Sequence, residues 1–396
     1  MRWASAISAQ LDLDRAVDEA ATLLEHQLRG ERPELLLAFV TATHAARYGE
    51  LNRLLTDRLG PCVVVGTSAG GVIGDGIELE DTAGLALSAA VLPGVELTPF
   101  HMIGPEAALL DGAERWERRL GVDARDLRAI LLLPDPFTCN VQAMLRRLDA
   151  ALPHATIIGG LASGASGPGE SALWAQGELY RDGVVGVALS GVVRVDTLVA
   201  QGCRPVGEPL FVTRAHQNVI LALDGQRPAE VVRAMVDAMS DADRRLVLQG
   251  LYVGLVTQPD QTSYGRGDFL IRNVVGVSPD TGSIAVGALV HPHQVVQFHL
   301  HDADSSRQDL REHLTRYATT QGATTAAGAL VFSCLGRGVR LYGAPNHDSD
   351  AIREVLGDIP LAGFFGNGEI GPVAGSRTTY LHGFTSAIAL FRGNGP

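Results

Sequence analysis

The side chains best suited to bind a small charged molecule lie in two glycine-rich segments near the C-terminus. The first runs from Ser333 to Gly338, directly after an apolar run, and the second runs from Gly363 to Gly371. Ligands of α/β sheets bind where the carboxyl ends of strands and their loops gather. An arginine there can hold a carboxylate through its planar fork, and a glutamate can receive an amino group. We therefore predict a ligand-binding set made of Ser333, Cys334, Arg337, Asn367, Glu369 and Thr385. Alternatively, Arg337 and Glu369 form an ion pair that only joins the two loops and binds no ligand.

A serine motif occurs in an earlier glycine-rich segment. Residues 66–70, Gly-Thr-Ser-Ala-Gly, match the G-x-S-x-G pattern in which a strained strand-to-helix turn exposes a nucleophilic serine. The residues that follow, 71–76, include three glycines and form helices poorly. They also contain no Lys-Ser/Thr pair for a phosphate-binding loop. We interpret Ser68 as a turn serine and keep a serine or cysteine hydrolase, using Ser68 or Cys334, as a second alternative function.

Two histidine pairs have a spacing that suits metal ligands. The pairs His291/His293 and His299/His301 each place two rings at i and i+2, which point to one face of a strand. No cysteine or acidic residue stands at an established zinc spacing from either pair. We predict no metal site, and we interpret these histidines as surface or edge-strand residues.

Charge and composition exclude several classes of protein. The chain has 396 residues, of which 46% are hydrophobic and 19% charged, and its formal net charge is −12. This charge disfavours contact with nucleic-acid phosphates, and no apolar run approaches the length of about 20 residues that spans a membrane. The start lacks a signal-peptide core, and the four cysteines form no CxxC pair. We expect a cytoplasmic protein that binds neither nucleic acid nor membrane.

Apolar periodicity predicts an alternation of helices and strands. Residues 14–28 have helical spacing, whereas 35–40 and 62–65 are unbroken apolar runs typical of buried strands. Turn residues at 92–94 join two further apolar segments, which predicts a hairpin. The same order recurs from residue 130 and again from residue 330. The predicted fold is mixed α+β, with mixed sheets flanked by helices, built in two lobes from repeated strand–helix–strand–glycine turn–hairpin units.

Three glycine triplets support an internal repeat. They share the spacing G-x4-G-x2-G, for which random placement of the 46 glycines predicts only about 0.6 occurrences. Each triplet follows an apolar strand, where the access of glycine to positive φ would let the backbone reverse sharply. The structural glycines of this predicted repeat are Gly66, Gly71, Gly74, Gly159, Gly164, Gly167, Gly363, Gly368 and Gly371.

A different block separates the second and third copies. Within it, the apolar runs 270–277 and 283–290 flank turn residues that predict a hairpin. The predicted domain boundary falls near Asn218, where the strands of the second copy end. The chain then divides into a strand and helix extension (1–29), an N-terminal domain (30–217) and a C-terminal domain (218–396).

Long stretches of the chain resemble the FIST family of sensory domains. The segments ELLLAFVTATH (34–44), VVVGTSAGGVIGDG (63–76) and LALSAAVLPGVELTPFHM (85–102) are similar to its N-terminal region, FIST N. Its C-terminal region, FIST C, is similar to LVFSCLGRG (330–338), DIPLAGFFGNGEIGPVAG (358–375) and YLHGFTSAIALF (380–391). NVVGVSPDTGSIAVG (273–287) and VQFHLHDADSSRQDL (296–310) also match the family. The resemblance covers the chain from about residue 30 to its end, and the two predicted domains become FIST N and FIST C.

The resemblance implies a cytoplasmic sensor that binds a small ligand, proposed for the family to be amino acids or related metabolites. Some relatives adjoin histidine kinases, chemoreceptors or cyclic-dinucleotide enzymes, and a eukaryotic branch carries an F-box. Because both halves of this chain are assigned, we expect its signal to pass to a partner protein in trans. A shift between two arrangements of the N and C halves would carry the signal, provided that the ligand binds one arrangement better.

The family supplies no catalytic residues that carry over, so we expect a protein that is not an enzyme and that needs no cofactor. Some relatives bind haem and respond to nitric oxide. A haem-binding nitric-oxide sensor is therefore the first alternative, with His299, His301, His347 or Cys334 available as the axial ligand.

Overall fold

The computed structural model describes residues 1–257, 263–265, 267–321, 326–373 and 377–393. Among these residues a 3₁₀ helix spans Ala42–Glu50. The α-helices are α1 (Leu13–Gln27), α2 (Leu51–Leu59), α3 (Gly104–Leu109), α4 (Ala113–Leu120), α5 (Val141–Ala151), α6 (Pro228–Asp237), α7 (Asp241–Gln249), α8 (Ala303–Gln321), α9 (Gly338–Tyr342) and α10 (His347–Leu356).

The strands of the described residues are β1 (Arg2–Ser8), β2 (Leu35–Thr41), β3 (Val63–Ala69), β4 (Gly71–Gly74), β5 (Ile77–Glu80), β6 (Leu85–Val91), β7 (Val95–Met102), β8 (Leu127–Pro134), β9 (Thr156–Gly160), β10 (Leu173–Ala175), β11 (Glu178–Tyr180), β12 (Val184–Gly191), β13 (Arg194–Gln201), β14 (Cys203–His216), β15 (Val219–Leu223), β16 (Tyr252–Val256), β17 (Phe269–Val277), β18 (Ile284–Val286), β19 (Val295–His301), β20 (Gly328–Cys334), β21 (Leu361–Gly366), β22 (Glu369–Pro372), β23 (Thr379–His382) and β24 (Thr385–Arg392).

The chain forms two compact units. Unit 1 contains residues 1–199, 310–381 and those from Thr385 onward, and unit 2 contains residues 200–309 and 382–384. The predicted domain boundary near Asn218 was placed from sequence patterns. The two units are instead defined by which residues contact one another in space. No helix among the described residues is both long and apolar enough to cross a membrane.

Unit 1 is built around three six-stranded sheets. Their strand orders are β1-β6-β2-β3-β10-β11, β23-β22-β9-β8-β12-β7 and β13-β24-β20-β21-β4-β5. Each contains a parallel pair (β2–β3, β8–β9 or β20–β21), and the first strand of that pair has an antiparallel neighbour on its other side (β6, β12 or β24). The sheets are mixed and helices cover them, so the predicted fold class is confirmed. The internal repeat itself stays a prediction.

The unbroken apolar strands are buried on both faces. In β2, Leu35, Leu37 and Phe39 join a core that also receives side chains from the other two sheets. The alternate residues of β2, such as Leu36 and Val40, pack with residues of α1 and α2 in a second core. A strand with no polar alternation is therefore one that lies between two apolar layers.

Two connections differ from the hairpin prediction. Strands β6 and β7 follow one another through Leu92–Gly94, but β6 pairs with β1 and β2, whereas β7 pairs with β12 in another sheet. Strands β12 and β13 likewise belong to different sheets. A tight turn is present at Leu92, where the Val95 amide donates to the Leu92 carbonyl over 3.0 Å. Turn residues bend the chain, but here the chain passes to a neighbouring sheet.

The glycines of the triplets serve mainly close packing of strands. Of the nine, all of which lie in described residues, only Gly164 has a positive φ, so the prediction of left-handed turns was wrong for the others. A Cβ at Gly66, Gly159 or Gly363 would lie 2.2, 1.9 or 1.8 Å from a carbonyl oxygen of the neighbouring parallel strand. These strands need glycine because a partner backbone occupies the space of a side chain.

Unit 2 is a closed barrel with the strand order β14-β15-β18-β17-β16-β19. Its core is lined by Val253, Phe298 and Leu300, and side chains of α6 and α7 pack against it. Strands β17 and β18 pair in antiparallel fashion, as the turn residues between them predicted.

Candidate functional site

The six predicted ligand-binding residues lie in unit 1, at or beside the ends of strands that belong to two sheets. Ser333 and Cys334 end β20, Glu369 begins β22 and Thr385 begins β24. The end of β20 is held to the end of β21 by the Leu335 amide, which donates to the Gly366 carbonyl over 3.0 Å. Glu369, by contrast, begins a strand of another sheet.

Arg337 and Ser333 meet on one carboxylate, that of Asp348 in α10. Arg337 donates from Nε to Oδ2 over 3.0 Å and from Nη2 to Oδ1 over 2.8 Å. The Ser333 hydroxyl donates to Oδ2 over 2.9 Å. The Arg337 side chain is 0% exposed and that of Asp348 is 2% exposed. The planar fork that we assigned to a ligand carboxylate therefore holds a carboxylate of the protein itself.

This buried pair is ionised on both sides. Burial alone would raise the pKa of Asp348, but the charge of Arg337 and the hydrogen bonds from His347 and Arg337 outweigh it, and the pKa lies well below its usual range. Burial opposes the charge of Arg337 as well, yet Asp348 raises the pKa of this guanidinium further above its ordinary value. A charge can remain inside a protein when its partner satisfies it in this way.

Glu369 and Thr385 form a second buried contact. Oε2 of Glu369 accepts from the Thr385 hydroxyl over 2.6 Å and from the Thr385 amide over 3.2 Å. Oε1 is buried and has no hydrogen-bond partner among the described residues. Burial raises the pKa of Glu369 to about 8, against the opposing effects of the Thr385 hydrogen bonds and the Arg337 charge. Near neutral pH this carboxyl group is therefore mainly protonated.

Glu78 of β5 belongs to the same region. Its Oε1 accepts from the Ser349 amide over 2.8 Å and from the Ser349 hydroxyl over 2.9 Å, and Asn346 accepts from the Glu78 amide. Burial and the neighbouring charge of Asp348 raise the pKa of Glu78 to about 7. Glu80, two residues along β5, accepts from the Val339 amide over 2.9 Å.

Sequence reasoning missed Asp348, Glu78 and Ser349. Asp348 lies in the first turn of α10, where acidic residues are common, so its position gave no sign of a buried partner. In β5 the apolar Ile77 is exposed and the acidic Glu78 is buried, so the alternation runs opposite to the usual expectation. Nothing in the local pattern indicates that this glutamate faces inward.

Asn367 takes part in a different contact, at the place where the three glycine-rich segments meet. Its side-chain amide donates to the Ala162 carbonyl over 3.0 Å. The Ser163 hydroxyl donates to the Phe365 carbonyl and accepts from the Gly70 amide over 2.8 Å. The Ser163 amide donates to the Ser68 carbonyl over 3.1 Å. The three segments are thus joined to one another by hydrogen bonds.

The residues of the alternative functions are placed as follows. Ser68 is 2% exposed, and its hydroxyl accepts from the Ala172 amide over 3.0 Å. Cys334 is half-buried, and its Sγ accepts from the Gly336 amide over 3.5 Å. The described residues contain no group of three or more His, Cys, Asp or Glu side chains that could hold a metal ion.

The histidines considered for haem occupy separate surroundings. His299 is buried in the barrel with Nδ1 3.0 Å from the Gln297 carbonyl, and burial lowers its pKa to about 4. His301 packs edge-on against Phe384, also in unit 2. His347, in unit 1, is stacked on Tyr342 with ring centroids 3.4 Å apart.

Comparison with known proteins gives matches over nearly the whole chain. The FIST N domain matches residues 34–226 and the FIST C domain matches residues 228–372. An uncharacterized protein of Mycobacterium tuberculosis is 36% identical over 391 residues, which cover 99% of this chain and 100% of the relative. An uncharacterized protein of Mycobacterium bovis is also 36% identical over 391 residues, covering 99% of each. F-box only protein 22 of Homo sapiens is 52% identical over 42 residues, 10% of each chain.

Among solved structures, a cyanuric acid hydrolase aligns over 99% of this chain and 100% of its own, with a TM-score of 0.33 and 10% identity. The cyanuric acid hydrolase of A. caulinodans aligns over 99% of each chain, with a TM-score of 0.31 and 12% identity.

Proposed function

The chain belongs to the FIST family of sensory domains, and on that premise we propose that it binds a small ligand, an amino acid or a related metabolite, through Glu369. The ligand leaves chemically unchanged, and the signal passes to a partner protein in the cytoplasm.

The single observation that carries this proposal is the unpartnered oxygen of Glu369. Oε1 is buried and accepts no hydrogen bond among the described residues, while Oε2 accepts two from Thr385. A buried polar atom without a partner costs about 1–3 kcal/mol, and such atoms are rare in folded proteins. A ligand N–H group that donates to Oε1 would remove this cost in the bound state.

The charge of the surroundings favours an amino group as the donor. The pKa of Glu369 is about 8, because burial disfavours its ionised form. An ammonium group beside it would favour the carboxylate, so that the positive charge of the ligand replaces the proton. Binding near neutral pH then releases close to one proton for each ligand bound.

Arg337 acts as a positioning residue in this proposal. Its fork holds Asp348 and thereby ties the loop after β20 to α10. The pair interacts electrostatically with Glu369, since the charge of Arg337 lowers the Glu369 pKa and that of Asp348 raises it. Loss of Arg337 would therefore change ligand affinity through the charge of Asp348.

The burial of Glu369 also sets the mechanism of signalling. Its side chain is 0% exposed, so the ligand reaches it only in a second, more open state of the protein. A ligand shifts the balance between two states only by the difference in its affinity for them. The partner protein in trans reads this shift.

Calorimetric titration with each of the 20 common amino acids tests the proposal. We expect at least one to bind, with proton release visible as a heat that depends on the ionisation enthalpy of the buffer. The variant Glu369→Gln keeps the shape of the side chain and should lose both binding and proton release. An exposed control, Glu114→Gln, should bind like the natural protein. Equal binding by Glu369→Gln would contradict the role of Glu369.

Native mass spectrometry of freshly purified protein tests the ligand class more broadly. A retained small molecule that is recovered unaltered after incubation supports a binding protein. Its conversion to a product would overturn the proposal that the chain is not an enzyme.

A further inference from the structure

A cleft of about 490 Å³ lies in unit 1 beside α10 and the residues that follow it. We propose that this cleft is a separate binding site for a small organic amine that carries an apolar body. The residues of the cleft that the proposal uses are Asp75, Ser349, Ile352, Arg353, Asp358 and Leu361. The site is distinct from the contact between Glu369 and Thr385 and does not depend on it.

The turn between β4 and β5 forms one wall of the cleft and is held firmly. The amide of Asp75 donates to the Ser5 hydroxyl over 2.9 Å and lies 3.0 Å from the Leu361 carbonyl. Asp75 has a φ of 46°, a left-handed conformation that aspartate and asparagine tolerate better than most residues. The backbone of Asp75 is thus held in place where it lines the cleft.

The charges around the cleft leave one acid unpaired. Nη1 of Arg353 lies 3.3 Å from Oδ1 of Asp350, and its Nε lies 3.6 Å from Oδ1 of Asp358. Its Nη2 donates to the Gly76 carbonyl over 3.2 Å. Asp75 forms no ion pair among the described residues of the chain. The guanidinium is therefore already matched by two carboxylates and a carbonyl, and the remaining carboxylate favours a cation.

Part of the lining is apolar, beside polar residues that include Gln27 and Ser349. Ile352 and Leu361 are buried in the wall, and Ile359 and Pro360 are half-buried beside them. A cavity of this size falls in the range of small-molecule sites, which are about 300–1,000 Å³ and combine apolar walls with a few polar groups. An amine with an apolar body matches both the unpaired carboxylate and these walls.

The cleft shares α10 with the buried charges. Ser349 lines the cleft and also donates to Glu78 from its amide and its hydroxyl. The preceding residue, Asp348, holds Arg337. An occupant that contacts Ser349 therefore touches the helix on which the Arg337–Asp348 pair depends.

Two probes with the same body and opposite charge test the proposal. Phenethylamine is a cation near pH 7, and 3-phenylpropionate is its anionic counterpart. We expect phenethylamine, added to about 10 mM to cover a millimolar Kd, to shift the amide resonances of Ser349, Ile352 and Arg353 in a saturable manner. The carboxylate should leave them unchanged. No shift with phenethylamine, or equal shifts with both probes, would overturn the site.

Variants separate this site from the proposed sensory site. Asp75→Asn retains the left-handed backbone and should weaken phenethylamine binding by about tenfold. Asp81→Asn is the matched control, because Asp81 is an exposed aspartate with a φ of 52° that does not line the cleft. Glu369→Gln should bind phenethylamine like the natural protein even if it binds no amino acid. An unchanged Kd for phenethylamine in Asp75→Asn would show that the Asp75 carboxylate does not bind the amine, and it would overturn the proposal.

Discussion

The guanidinium of Arg337 holds both carboxylate oxygens of Asp348, with Nε 3.0 Å from Oδ2 and Nη2 2.8 Å from Oδ1. The two residues are 11 positions apart, one in the loop after β20 and the other in the first turn of α10. Because both side chains are buried, neither charge is screened by water, and each depends on the other. The pair fixes the helix that lines the amine cleft to the strand edge that carries the candidate site.

Removal of Asp348 should destabilise the protein strongly. In Asp348→Ala the Arg337 charge stays buried without its partner, which costs about 3–5 kcal/mol in comparable pairs. Urea unfolding should show this as a lower midpoint. The control Asp350→Ala removes an exposed partner of Arg353 in the same helix and should change the free energy of unfolding by no more than about 1 kcal/mol. Similar losses of the free energy of unfolding in both variants would show that the buried Arg337–Asp348 pair matters no more for stability than the exposed Arg353–Asp350 pair.

Stability should fall as the pH rises toward 8. The pKa of Glu369 is raised from an ordinary 4.5 to about 8 in the folded protein, so the folded state binds more protons than the unfolded state between these values. The extra proton stabilises the folded state relative to the unfolded state. This contribution to the free energy of unfolding is complete below pH 4.5 and is lost as the pH rises through 8, with a slope of up to about 1.4 kcal/mol per pH unit. Glu78 adds to it up to about pH 7. Urea unfolding between pH 5 and 9 measures this slope.

Glu369→Gln should flatten that dependence, because the amide does not titrate. The exposed control Glu114→Gln should leave the slope as it is in the natural protein. Parallel curves for Glu369→Gln and the natural protein would mean that Glu369 does not carry the extra proton.

Thr385→Val should move the titration of Glu369 to higher pH. The hydroxyl of Thr385 donates to Oε2 over 2.6 Å and lowers the Glu369 pKa relative to burial alone. Valine keeps the shape and the backbone amide but cannot donate, so the carboxylate loses one of its two donors. The pH at which stability is lost should rise, and Thr319→Val, on an exposed face of α8, should not change it. A shift to lower pH would contradict the assigned hydrogen bond.

Gly363→Ala should destabilise the fold, although the backbone there has an ordinary φ. Its Cβ would lie 1.8 Å from the Val331 carbonyl oxygen, so β20 and β21 must separate. Overpacking of this kind costs about 1–3 kcal/mol. Gly167→Ala is the matched control from the same set of triplets, because nothing lies within 4 Å of its Cβ. Thermal unfolding of the two variants compares them, and equal melting temperatures would refute the close approach.

The local pattern was sufficient for most of the secondary structure. The predicted helix at 14–28 is α1 (Leu13–Gln27), and the apolar run 35–40 is β2 (Leu35–Thr41). Both predictions depend on side chains within a few positions of one another, which periodicity reports directly. The hairpin at Leu92–Gly94 could not be decided in this way. A turn reverses the chain, but the partner of the next strand is set by the sheet that has a free edge.

In the candidate site, too, some features follow from the local sequence pattern and others do not. The position of Arg337 and Glu369 at strand ends followed from the order of apolar runs and glycines. The pairing of Arg337 with Asp348 did not follow in this way. Neither did the contact between Glu78 and Ser349, which are separated by 271 positions.

The sequence by itself thus determined the family and the mixed α+β class, because these follow from residue types and short-range spacing. Only the tertiary structure decided that Arg337 holds Asp348, that Glu369 keeps its proton near neutral pH and that Asp75 lines a cleft but forms no ion pair among the described residues. The ionisation of a carboxyl group depends on its burial and on the charges that distant parts of the chain bring to it, and no local pattern contains that information.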